Sequence, residues 1–248
     1  LPLRILGAGN YGKILLAQAP PRPASPDVGD RHGGSSSSDG AHEREVGALL
    51  DDSGGLCVIK IVKHRQAREG SHIEALQEAR VLRRISHPCI VKYLDSFASV
   101  DRDKLYIVME YCDSGVLADR IKEAIQAQQW LAEERILGWF SQLCSALSFL
   151  HRNHVLHRDI KPDNVFMAHN GESIKLGDFG FTRVLDNTDA LALTRCGTPF
   201  YMSPEQCLGH PYDGKADVWA AGILLYELVT LQLPFKGQNL PELRKNIL

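Results

Sequence analysis

Apolar residues recur at two different periods along this chain of 248 residues. Ile14-Leu15-Leu16-Ala17 and the run 56–62 are nearly continuous and rich in branched side chains, which predicts strands. Over 71–85 the spacing changes. Ile73, Leu76, Ala79, Leu82 and Ile85 trace a stripe at roughly helical intervals and predict an amphipathic helix. Residues 133–152 repeat the signal, with Ile136, Phe140, Leu143, Leu147 and Leu150 at i, i+4, i+7, i+11 and i+14. This second helix should bury one face and deliver the chain to the segment behind it. The stretch 218–229 is apolar almost all round, as suits a helix in the middle of a lobe. It is too short to cross a membrane, and Glu227 interrupts it.

Between the first two strand signals lies 20–55, rich in Pro, Gly and Ser and containing a run of four serines at 35–38. Such a composition buries too little apolar surface to offset the entropy of ordering, so it reads as a disordered loop insertion. A long polar loop adds little closure entropy, and the surrounding sheet can tolerate it.

Charge and cysteines narrow the function classes. A net charge of −2 gives no bulk attraction to nucleic acid or anionic membranes. Aromatic residues are not interleaved with basic patches, so neither a nucleic-acid nor a membrane partner is expected. The six cysteines are scattered without a C-x-x-C pair, which argues against a zinc site or disulfide scaffold and fits a reducing compartment. His151, His154 and His157 cluster and invite a metal reading, against which stands the packing role that the resemblance described below implies for His157.

The chemistry concentrates in His157-Arg158-Asp159-Ile160-Lys161-Pro162-Asp163-Asn164, followed by Asp178-Phe179-Gly180. One acid can sit beside an attacking hydroxyl, an amide five positions later can turn back to hold a metal, and a second acid can hold another from a separate loop. Phosphoryl transfer from a Mg-nucleotide requires that set. Upstream, Gly7-Ala8-Gly9-Asn10-Tyr11-Gly12-Lys13-Ile14 places glycines where backbone amides could approach phosphates without a Cβ in the way. Alone this pattern also fits a tight hairpin or a dinucleotide fingerprint, but the latter needs a helix directly afterwards, and Ile14–Ala17 leading to Pro20 does not provide one. Lys60 is flanked by Val58 and Ile59 inside an apolar strand, where a cation needs an anionic partner. Glu78, on the amphipathic stretch 71–85, is the candidate. Glu69 and Glu74 read as ordinary surface residues.

Taken in order, these motifs resemble the eukaryotic protein kinases, with Lys161 matching the serine/threonine branch. Gly197-Thr198-Pro199-Phe200-Tyr201-Met202-Ser203-Pro204-Glu205 and Asp217-Val218-Trp219 extend the match. His87-Pro88-Cys89-Ile90-Val91-Lys92-Tyr93, 107–112, Ile174-Lys175-Leu176-Gly177 and 194–206 look most like the NIMA-related (Nek) group. The resemblance implies an α+β, bilobal protein-kinase fold: a small, mostly β N-lobe with helix C over 1–108, a hinge at 109–112, and a larger, mostly α C-lobe over 113–248. The family continues with further helices, so the chain is expected to be a fragment, cut at both ends and lacking the C-terminal helices.

The resemblance also implies roles. Asp159, Lys161, Lys60 and Glu78 would be catalytic, and Asn164 and Asp178 would hold Mg²⁺. ATP would lie among Leu6, Gly7, Gly9, Gly12, Ile14, Val58, Lys60 and Phe166, with Met109 as gatekeeper and the backbones of Glu110 and Cys112 at the adenine edge. Leu82, Tyr93, His157 and Phe179 would stack as an apolar spine. Thr194 would be the activating phosphosite, received by Arg158 and Arg183, with an upstream kinase or trans-autophosphorylation supplying the phosphate. Partners would be protein substrates with Ser/Thr acceptors. The location would be intracellular and cytoplasmic, with cytoskeletal or nuclear association as family alternatives. A catalytically dead scaffold is the rival reading, and the presence of Lys60, Asp159 and Asp178 argues against it.

Overall fold

The computed structural model describes residues 2–9, 12–18, 55–63, 85–99, 104–177 and 199–248. Two compact units divide the chain: one takes 1–85 and 92–111, the other 86–91 and 112–248. The segment 86–91 thus leaves the strand-rich part of the chain to join the larger unit.

The smaller unit is one antiparallel sheet of β1 (Pro2–Gly9), β2 (Gly12–Gln18), β3 (Leu56–Lys63), β4 (Tyr93–Ala98) and β5 (Lys104–Glu110), in the order β1-β2-β3-β5-β4. β3 is central and carries the branched residues that sequence places there. Register decides which side chains share a face. Ile14 opposes Lys60, Val58 opposes Met109, and Lys60 opposes Ile107. Ile14, Val58, Lys60, Ile107 and Met109 therefore lie on one face. The opposite face carries a cluster of Ala17, Cys57, Leu94 and Val108, against which Ile59 packs.

In the larger unit, α1 (Leu117–Ala127) and α2 (Glu133–Arg152) precede the short hairpin of β6 (Val165–Ala168) and β7 (Ser173–Leu176). The chain then continues through α3 (Pro204–Cys207), α4 (Gly214–Thr230) and α5 (Leu240–Ile247). Ser203 starts α3 with a capping box, its hydroxyl accepting from Gln206 N while Gln206 Oε1 accepts from Ser203 N. Asn239 caps α5 by accepting from Glu242 N. The observed α+β division into a sheet-based and a helical unit is the one expected. The helix expected over 71–85 lies outside the described residues except for Ile85, which is buried. The insertion over 20–55 lies outside them except for Gly55.

Two helix expectations need correction. On α2 the buried stripe is Ile136, Trp139, Leu143, Ala146, Leu147 and Leu150, and Phe140 stands only at its edge. Trp139 goes inward because its indole N–H finds a partner there, the carbonyl of Gly171 at 3.0 Å. α4 was expected to be covered all round. Its Ala216, Ala220, Ile223, Leu224 and Leu228 are buried, yet Val218, Tyr226 and Val229 are exposed on one side among the described residues. Glu227 accepts a hydrogen bond from the Tyr201 hydroxyl. Burial, followed by the charge of Asp163, raises the Glu227 carboxyl above its usual range, although the Tyr201 bond works the other way. No helix of the described residues is long and apolar enough to cross a membrane.

Replacing Trp139 by Phe should leave the Gly171 carbonyl without its donor inside the unit. The expected loss is about 1–3 kcal/mol, read as a lower urea midpoint at unchanged slope. An unaltered midpoint would show that water replaces the indole at no cost.

Candidate functional site

The candidate catalytic loop begins where α2 ends. His154, in a left-handed conformation (φ 59°), turns the chain, and Arg158 is left-handed as well (φ 71°). That conformation is strained for a residue with a long side chain and persists only where neighbours enforce it. Asp217 does so from the first turn of α4. Its Oδ1 accepts from Arg158 N at 2.8 Å and its Oδ2 from His157 N at 3.0 Å. His151 Nε2 lies 2.9 Å from the same Oδ2. Asp217 is 2% exposed, a burial that a carboxylate tolerates with several donors and a helix N-terminus beside it. Gly214 makes room, since a Cβ there would stand 3.0 Å from the His151 ring.

His157 is fully buried and ties two parts of the site together. Its Nδ1 accepts from Asp159 N at 3.3 Å, and its Nε2 stands 2.9 Å from the Gly177 carbonyl. A carbonyl can only accept, so Nε2 carries the proton and the ring is the neutral Nε2–H tautomer. The three histidines thus have separate roles: His151 binds Asp217, His157 binds Gly177, and His154 is exposed on its turn.

Past His157, Asp159 turns its carboxylate to the loop's other polar groups. Its Oδ2 receives Lys161 Nζ at 2.7 Å and Asn164 Nδ2 at 2.8 Å. Asn164 Nδ2 also donates to the Asp159 carbonyl at 2.7 Å. A 3-10 turn over Pro162–Asn164, opened by Pro162, brings Asn164 back to Asp159. Gly177 N donates to the Asn164 carbonyl at 3.0 Å, fixing the end of the β7 strand beside the loop. Asp178, the next residue, lies outside the described residues, as does Glu78.

Of the other sequence candidates, Phe166 is on β6, and its ring packs where a Gly177 Cβ would be. Cys112 is partly buried at the start of the larger unit. The remaining ones belong to the smaller unit. Gly9 pairs with Gly12 and Gly7 with Ile14 in the β1–β2 hairpin, whose register slips between Ile5 and Gly7 and leaves Leu6 in the irregularity. Ile14, Val58, Lys60 and Met109 share a sheet face, with Lys60 8% exposed. Glu110 N donates to the Lys92 carbonyl at 2.9 Å, while Glu110 Oε1 accepts from Lys92 N at 2.6 Å. The Glu110 amide being so engaged, contact with a nucleotide would fall to its carbonyl. Leu82, Phe179, Arg183 and Thr194 all lie outside the described residues.

The donor chemistry fits a divalent cation of the magnesium type. Such ions take oxygen ligands. With its nitrogen bound to Asp159, Asn164 would turn Oδ1 to such an ion, and the Asp159 carboxylate next to it is half exposed.

Two residues escaped the sequence reading. Asp217 enters the sequence analysis only as part of a motif; an acid in the first turn of a largely apolar helix was the available signal. Tyr201 was not singled out, though burial, then the Glu227 bond and the charges of Glu227 and Asp163, push its hydroxyl well above the usual range.

The chain belongs to the protein kinase domain family, whose family model matches residues 43–248. Within the family its relatives include Nek kinases, as the motifs led one to expect. It is 44% identical over 187 residues to serine/threonine-protein kinase Nek5 of Homo sapiens, an overlap of 75% of this chain and 26% of that protein. It is 38% identical over 241 residues to serine/threonine-protein kinase Nek1 of Mus musculus, covering 97% of this chain and 17% of the relative. With serine/threonine-protein kinase Nek2 of Homo sapiens it shares 42% over 198 residues, 76% of this chain and 44% of that one. The chain therefore spans less than half the length of these relatives.

Gly177→Ala tests how tightly the site is built. The new Cβ would stand 2.7 Å from Phe166 Cε2 and 2.8 Å from Val91 Cγ2. Overpacking of this kind costs about 1–3 kcal/mol. The melting temperature should fall, and a second change, Phe166→Leu, should recover part of the loss. A Gly177→Ala chain that melts like the original would contradict the close approach.

Proposed function

We propose that the chain is an ATP-dependent protein serine/threonine kinase, moving the γ-phosphoryl group of Mg-ATP to serine or threonine hydroxyls of protein substrates. The observation that carries the reading is the loop in which Asp159 Oδ2 is held by Lys161 Nζ and Asn164 Nδ2. Asp159 orients the acceptor hydroxyl and takes its proton. Lys161 keeps a positive charge beside that carboxylate and offsets charge on the group in transit. Asn164 Oδ1 and Asp178 would hold Mg²⁺, which would supply positive charge to neutralise the phosphate oxygens. Lys60, with Glu78 as its anionic partner, grips the phosphates. Gly7, Gly9 and Gly12 bring backbone amides to them. Leu6, Ile14, Val58, Met109 and Phe166 form apolar walls for the base, and Glu110 and Cys112 offer backbone groups to its edge. Positioning and fixed charge supply most of the acceleration in such reactions.

The division of roles makes a test. Asp159→Asn and Asp178→Asn are nearly isosteric, and each should lower phosphorylation of a serine substrate by several orders of magnitude. Asp178→Asn should also weaken Mg-dependent ATP binding in calorimetry, whereas Asp159→Asn should leave it intact. Equal loss of ATP binding in both would refute the assignment.

Gating by phosphorylation of Thr194 belongs to the same reading. Arg158 and Arg183 offer two charge-assisted contacts to a phosphate there, from an upstream kinase or a second copy of the chain. Thr194→Ala should lower activity substantially, and Arg158→Ala should make activity indifferent to the state of Thr194. Full activity of Thr194→Ala protein, shown unphosphorylated by mass spectrometry, would sink the gate.

A further inference from the structure

His87 belongs to the segment 86–91, which folds with the larger unit. Its ring lies against Phe149 of α2, the centroids 5.1 Å apart and the planes tilted by 35°. Nδ1 accepts the Cys89 amide N–H at 3.2 Å, and Nε2 stands 3.2 Å from Ser145 Oγ on α2. A ring nitrogen that accepts an amide proton carries none itself. The proton is therefore on Nε2, and Nε2–H donates to Ser145.

The backbone that this ring fastens pairs with β7. Leu176 N donates to the Cys89 carbonyl at 2.9 Å, Val91 N donates to the Leu176 carbonyl at 2.8 Å, and Ile90 bridges Leu176 in the parallel sense. Ile90 N also closes a turn onto the His87 carbonyl at 3.1 Å. β7 thus has β6 on one side and 89–91 on the other. Its last residue, Leu176, leads through Gly177 straight to Asp178. The Gly177 peptide in turn receives His157 and donates to the Asn164 carbonyl.

We propose that His87 is a positioning residue for phosphoryl transfer, its neutral Nε2–H form clamping 89–91 between α2 and β7 and so fixing the strand that leads into Asp178. The proposal rests on the kinase reading above and deepens it. Its physical core is a conflict between donors. Protonation puts an N–H at Nδ1, facing the Cys89 N–H, and neither group can then accept. The ring must turn away or the Cys89 turn must open.

Surroundings favour the neutral form. Burial lowers the His87 imidazole below its usual range and is the one cause acting on it among the described residues. Ser145 and Phe149 face it from α2 and Cys89 from its own segment, while on β7 the charge of Lys175 acts on the Cys89 thiol. For a base with a depressed pKa in the fold, the clamp is complete above the ordinary imidazole range and is lost as pH falls through the lowered value.

The test is kcat/KM for a serine peptide between pH 5.5 and 8, with the intact chain, His87→Asn and His87→Lys. Asn offers an amide oxygen near the place of Nδ1 and does not titrate; Lys is a permanent donor. The intact chain should lose activity below the imidazole's titration by up to about tenfold per pH unit. His87→Asn should retain activity at pH 8 and lack that limb, and His87→Lys should be weak throughout. Long-range ¹H–¹⁵N spectra should show His87 as the Nε2–H tautomer, with the Cys89 and Leu176 amide signals moving as it titrates. Amides that ignore the titration overturn the clamp. Coincident pH profiles for the intact and His87→Asn proteins overturn the positioning role in an active enzyme. Inactivity of the intact chain at every pH would instead sink the kinase reading itself.

Discussion

Asp217 accepts hydrogen bonds from the backbone of His157 and of Arg158, with His151 at the same carboxylate, and the candidate catalytic loop takes its shape from that contact. A left-handed Arg158 costs on the order of 1–3 kcal/mol by itself, and a carboxylate at 2% exposure would be far costlier without donors. The two penalties offset each other. The strained turn aims two successive amides at Asp217, and Asp217 supplies the acceptor that makes the turn tolerable. Because Asp217 sits in the first turn of α4, the loop inherits the rigidity of a helix anchored by Ala220, Ile223, Leu224 and Leu228 in the core.

From that anchor the site is built outward by backbone contacts. His157 bonds Asp159 N on one side and the Gly177 carbonyl on the other, and Gly177 N returns to Asn164. His87 repeats the device in the segment that flanks β7, its Nδ1 again accepting the amide two residues on. In each case a neutral imidazole joins a local turn to a distant element, which a charged one could not do with the same partners. The acid, the amide and the approach to Asp178 are thereby held by one network within the larger unit.

Much of this was legible because the motif residues lie at short range along the chain. Asp159, Lys161 and Asn164 meet within one loop, so their spacing alone points to the contact. β3 was legible from its branched apolar run, and two-residue alternation already implies that Val58 and Lys60 share a face. Longer-range features were not readable in this way. Nothing local tells Trp139 from Phe140 as the inward residue of α2, since the choice depends on the Gly171 carbonyl. The roles of Asp217 and Tyr201 depend on partners 59 and 26 positions away. α1 and α5 passed unnoticed, although Leu117, Ile121 and Ala124 already form a short helical stripe. The membership of 86–91 in the larger unit arises from pairing with Leu176, which no periodicity reveals.

The most direct measurement is the rate of γ-³²P transfer from Mg-ATP to a serine peptide by the Asp217→Asn chain beside the intact one, with the ATP dissociation constant determined in parallel. An amide presents a donor where the carboxylate accepts, so the backbone of His157 and Arg158 should shift while the smaller unit is left alone. Displacements near an ångström cost about a hundredfold in rate. The expected result is a loss of transfer of that order with little change in ATP affinity. Transfer at the rate of the intact chain would contradict the claim that this buried carboxylate sets the catalytic loop.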